Sequence, residues 1–93
     1  MRDSGARRVL IVDDSPAFTE ALRRLLTSEG FVVEVLHDSE GVVGAVAQFS
    51  PDVILLDVDL PGASGFEVCR RLKRFEATRL IPVVLLTGLP TTS

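Results

Sequence analysis

The stretch Val53-Ile54-Leu55-Leu56-Asp57, followed by Val58-Asp59-Leu60-Pro61-Gly62-Ala63-Ser64-Gly65, decides the fold. Four large aliphatic residues that stop at a carboxylate read as a strand buried on both faces, whose last residue emerges into a polar pocket. A lone carboxylate in that position is costly unless a cation or hydrogen-bond donors meet it. Asp57 therefore marks a site, and the Pro61, Gly62 and Gly65 that follow give it an irregular, shaped loop.

Working outward, Val9-Leu10-Ile11-Val12 is a second aliphatic run that also ends on carboxylates, Asp13 and Asp14. Ser15-Pro16 supplies a helix start, with Phe18, Leu22, Leu25 and Leu26 at helical spacing and Gly30 as the stop. Phe31 to Leu36 reads as a strand whose single charge, Glu34, suits a sheet edge. Glu40 to Phe49 predicts a second helix with Val42, Val43, Val46 and Phe49 inward. In the third helix, Phe66, Cys69, Leu72 and Phe75 form the expected apolar stripe, and Arg70, Arg71, Lys73 and Arg74 the outer face. That basic face reads as solvated, because no aromatic residue is interleaved on its exposed side. Pro82 to Thr87 is a fourth aliphatic strand ending on a hydroxyl, with Gly88 after it. Strands alternating with amphipathic helices predict an α/β fold, a doubly wound parallel sheet with right-handed crossovers.

Composition narrows the class. At 93 residues, with 46% hydrophobic and 25% charged, the chain is one globular domain. No apolar run approaches the roughly 20 residues that span a bilayer, and the start lacks a secretory signal, so no membrane role and a cytoplasmic location are expected. One cysteine, Cys69, excludes an internal disulfide and a structural zinc site. A net charge of −3 argues against nucleic acid as a direct ligand. His37 is a lone histidine at a strand end, with no nucleophile paired to it by the sequence.

In a parallel sheet of this kind, ligands bind at the carboxyl ends of the strands. Asp13, Asp14, Asp57 and Thr87 all fall at that edge. Converging carboxylates repel one another, so the site holds a proton or recruits a cation. Oxygen ligands without histidine or thiol select a hard ion such as Mg²⁺, which keeps waters and takes a phosphate oxygen. The chemistry implied is phosphoryl transfer, with an aspartate carboxylate as nucleophile and the Thr87 hydroxyl donating to the transferred group.

Val12-Asp13-Asp14-Ser15, Asp57 with proline four residues on and glycine eight residues on, Gly65-Phe66-Glu67-Val68-Cys69-Arg70-Arg71-Leu72-Lys73, and Ile81-Pro82-Val83-Val84-Leu85-Leu86-Thr87-Gly88 together resemble the receiver domain of bacterial two-component response regulators. The resemblance covers nearly the whole chain. It implies a flavodoxin-like sheet of order 2-1-3-4, stopping before the usual fifth strand. It implies Asp57 as phosphoacceptor, Asp13 and Asp14 as the acidic pair, the backbone carbonyl of Asp59 as a further Mg²⁺ ligand, Thr87 as the switch hydroxyl, and Gly88 where only a small residue fits. The partner implied is a sensor histidine kinase or phosphotransfer protein. On this reading the chain accepts a phosphoryl group and is not a turnover enzyme.

The sequence also departs from that family. A receiver usually continues for another helix, strand and helix, with a lysine at the end of its fifth strand. Residues 1–93 therefore read as one receiver-like domain, incomplete at the C-terminus, whose only lysine, Lys73, lies in the third helix. An exposed strand-four edge predicts self-association. The alternative is a receiver-like fragment that does not switch and serves as an interaction or self-assembly module. Asp57-Val58-Asp59 also resembles the aspartate pair of haloacid-dehalogenase-like phosphatases, but Pro61 stands where that family takes Thr or Val, and its downstream lysine and acidic pair are missing.

Overall fold

The computed structural model describes residues 5–86. Its elements are β1 (Arg8–Val12), α1 (Pro16–Ser28), β2 (Val32–Leu36), α2 (Val42–Phe49), β3 (Val53–Asp57), α3 (Gly65–Lys73) and β4 (Val83–Leu86). All strand pairs are parallel, in the order β2-β1-β3-β4, the expected topology with the charged strand β2 at an edge. Pro82, which cannot donate to a ladder, instead accepts from the Ile54 N–H at 3.0 Å just ahead of β4. No helix among the described residues is long and apolar enough to cross a membrane.

At β1 the sheet is covered on both faces, whereas β3, expected to be buried on both, is fully buried only toward α2 and α3, with Val53 and Leu55 half-buried. Val9, Leu10, Ile11 and Val12 are all buried. Leu10, Val12, Ile54 and Leu56 point to the side of α2 and α3 and close a core with Val42, Val46, Val68 and Leu72. The other face is uneven. Along one register row, Ile11 is fully buried, Leu55 half-buried and Val84 47% exposed, because α1 packs on β1 and β2 and leaves β3 and β4 open. The stripe expected on α1 is correspondingly loose, with Phe18 and Leu25 exposed and only Thr19 buried.

Helix boundaries follow local chemistry. Ser15 caps α1, its Oγ accepting from the Phe18 N–H at 3.2 Å with Pro16 in the first turn. At the other end, the Gly30 N–H reaches the Thr27 carbonyl and the Phe31 N–H the Leu26 carbonyl, a Schellman closure. The second helix starts two residues later than expected. The Glu40 N–H is taken by Asp38 Oδ1 and the Val42 N–H turns back to the Ser39 carbonyl, so residues 38–41 form a turn. On α3 the buried residues are Gly65, Val68 and Leu72, with Cys69 half-buried against the core and Phe66 about half exposed; Phe75, also half exposed, lies past the helix end at Lys73. The helix is rotated from the expected face because Gly65 must lie against β3.

Core position decides the energetics. Leu72→Ala should cost about 3 kcal/mol, through lost burial and a cavity, while Leu25→Ala on the open side of α1 should cost less than about 0.5 kcal/mol. Urea unfolding of both variants beside the parent, read as midpoint shifts at unchanged slope, checks the difference.

Candidate functional site

Three carboxylates meet at the carboxyl edge of β1 and β3. Asp13, Asp14 and Asp57 each place an oxygen within 4.8 Å of the others. Asp13 and Asp57 are buried, each 8% exposed, and Asp14 faces solvent. The ladders run past their last strand residues and fix both backbones. The Asp13 N–H donates to the Leu36 carbonyl at 3.0 Å, and the Val58 N–H to the Leu86 carbonyl at 3.1 Å. Side-chain orientation is set by following peptides, since Asp13 Oδ1 accepts from the Ser15 N–H at 2.9 Å and Asp57 Oδ1 from the Asp59 N–H at 3.2 Å.

The loop from Val58 to Ser64 is closed at its base by the Gly65 N–H on the Val58 carbonyl at 2.8 Å. A Cβ at Gly65 would collide with the Asp57 carbonyl oxygen and lie 2.9 Å from Val58 Cα. Glycine is required for α3 to start there, a role its place eight residues after Asp57 marks in sequence without explaining. Ser64 then caps α3, its Oγ accepting from the Glu67 N–H at 3.2 Å.

No ion pair among the described residues reaches Asp13, Asp14 or Asp57. Burial lifts the Asp57 carboxyl above its usual range; the Asp59 N–H opposes this, and the charges of Asp13, Asp14 and Asp59 add to the rise. The donor set is oxygen-only, negatively charged and short of cations, which fits a hard divalent ion. Lys73 lies away from the cluster, its Nζ donating to the Arg79 carbonyl at 3.0 Å. His37 is exposed, with Nε2 3.2 Å from Thr19 Oγ1. Cys69 is a half-buried free thiol packed against the core. Asp59 is exposed at the start of the loop. Thr87 and Gly88 lie outside the described residues, so the expected hydroxyl at the end of β4 is not placed.

Over residues 9–92 the chain matches the family described as the response regulator receiver domain. The chain belongs to that family. As a receiver, it is 46% identical over 82 residues to the response regulator PleD of Caulobacter vibrioides, a match that covers 88% of this chain and 18% of that protein. It is 41% identical over 86 residues to the DNA-binding response regulator MtrA of Mycolicibacterium smegmatis, covering 92% of this chain and 36% of that protein. The N-terminal domain of a response regulator receiver protein from Methanoculleus marisnigri JR1 superposes with a TM-score of 0.84 at 34% identity, over 91% of this chain and 69% of that one. The receiver thus spans between about one fifth and about one third of these curated relatives.

The raised Asp57 carboxyl sets the sign of a pH effect. Its protonated form favours the fold, and that contribution is lost as pH rises through the folded-state value. Without divalent ions, Asp57→Asn should melt a few degrees above the parent at pH 7.5, and the gap should close toward pH 4. Thermal unfolding followed by circular dichroism across that range tests this; equal midpoints at pH 7.5 would show that the three carboxylates do not strain one another.

Proposed function

We propose that this receiver is a phosphoacceptor module of two-component signalling, taking a phosphoryl group onto Asp57 from a phosphohistidine. The observation that carries the reading is the convergence of Asp13, Asp14 and Asp57 within 4.8 Å, with no cation paired to them among the described residues. Receiver domains generally work with histidine kinases or phosphotransfer proteins and depend on Mg²⁺. The carboxylates of Asp13, Asp14 and Asp57 and the backbone carbonyl of Asp59 would hold the ion. When bound, Mg²⁺ neutralises charge on the transferring oxygens.

The chain's own part is nucleophilic. A carboxylate oxygen of Asp57 attacks phosphorus; the oxygen–phosphorus bond forms as the phosphorus–nitrogen bond breaks, and the electron pair leaves with the imidazole, which takes up a proton. The Asp59 N–H on Asp57 Oδ1 orients the carboxylate for that attack. Thr87 supplies the switch hydroxyl. Each chain accepts one group and is not a turnover enzyme. The free Cys69 thiol suits a reducing cytoplasm. A direct nucleic-acid role is disfavoured by the net charge of −3 and by Glu67, which pairs with Arg70 and Arg71 on α3.

The open face beside β4, where Val84 is 47% exposed, favours a second reading, a non-switching interaction module that self-associates along that edge. Native mass spectrometry of the parent and Asp57→Asn, with Mg²⁺ and acetyl phosphate, separates the two. One added phosphoryl group on the parent and none on the variant is expected. An associated, unmodified parent would favour the interaction module.

A further inference from the structure

Ser39 sits in the turn between β2 and α2, 7% exposed. Its Oγ donates to the Pro61 carbonyl at 3.0 Å and accepts from the Ala63 N–H at 2.8 Å. Its own N–H points at the same Pro61 carbonyl at 3.4 Å. Between those two residues, Gly62 leaves room for the hydroxyl: a Cβ there would lie 2.6 Å from Ser39 Oγ. Among the described residues, no other side chain from outside the β3–α3 segment hydrogen-bonds the backbone of this loop.

The loop is therefore tied at two levels. Its base is closed by Gly65 on Val58, and its far side by Ser39 on Pro61 and Ala63. Asp59 lies between the ties. A hydroxyl can donate and accept at once, which methyl or hydrogen cannot, so the brace needs Ser or Thr.

We propose that Ser39 is a positioning residue of the phosphoacceptor site, fixing the β3–α3 loop that carries the Asp59 backbone carbonyl, the further ligand of the phosphoacceptor reading. This rests on the phosphoacceptor reading above. Ser39 touches neither the ion nor the phosphoryl group; it acts through the loop. Groups hydrogen-bonded directly to metal ligands change affinity by about 10- to 100-fold when removed, and a brace one step further out belongs at the low end.

The test is Mg²⁺ titration and amide hydrogen exchange by nuclear magnetic resonance, on the whole chain and on Ser39→Ala and Ser39→Thr. Ser39→Ala should bind Mg²⁺ roughly tenfold more weakly and expose the Ala63 amide, with β1 and β3 amides still protected, and Ser39→Thr should recover most of the affinity. Equal Mg²⁺ affinity in the parent and Ser39→Ala overturns the proposal, even if Ala63 exchanges faster. If Ser39→Ala does not fold, the parent alone decides, because coupling is reciprocal: Mg²⁺ must slow exchange at Ala63. Unchanged exchange at Ala63 in the Mg²⁺-bound parent overturns it. A parent that binds no Mg²⁺ overturns the phosphoacceptor reading itself, an outcome distinct from both.

Discussion

Asp57 is held where a carboxylate is least comfortable, at the buried end of β3 beside Asp13 and Asp14. Nearby backbone pairings keep it there: Val58 is bound to Leu86, Gly65 to Val58, and Asp13 to Leu36. For the buried pair Asp13 and Asp57, moving the backbones apart would break ladder bonds, and rotating either side chain would give up its bond from the Ser15 or Asp59 N–H. What remains adjustable is charge, through a proton or a bound cation. The fold thus turns hydrophobic burial of two strands into an electrostatic demand at their ends.

That demand was legible from sequence because it rests on chain order. Val9 to Val12 and Val53 to Leu56 are long enough, and apolar enough, to be central strands, and the carboxylates come directly after them. Strand order came from the family resemblance, and the edge position of β2 from Glu34. Less was readable where tertiary contact sets the angle of an element. Of the expected α3 stripe, Leu72 is fully buried and Cys69 packs against the core, but Phe66 and Phe75 are about half exposed; the close approach of Gly65 to Asp57 turns Val68 inward beside Leu72. Ser39 gave no signal at all. A serine in a turn is ordinary, and its two loop partners lie 22 and 24 residues away.

The two faces of the sheet differ in completeness. On the side of α2 and α3 the core closes, down to fully buried Leu10, Ile54, Leu56 and Leu72. On the side of α1, cover thins from Ile11 across Leu55 to Val84. The site lies at the strand ends and draws on both faces, since Asp14 leads into α1 and Gly65 opens α3.

The missing side chain at Gly65 has a mechanical consequence. With no Cβ between them, the first turn of α3 rests directly on the peptide that joins Asp57 to Val58, with no side chain of residue 65 in the gap. The contact leaves no slack between the Asp57 main chain and the start of α3. A larger residue at position 65 would have to part α3 from β3 before it could fit, so the seam between helix and strand is one that only glycine closes.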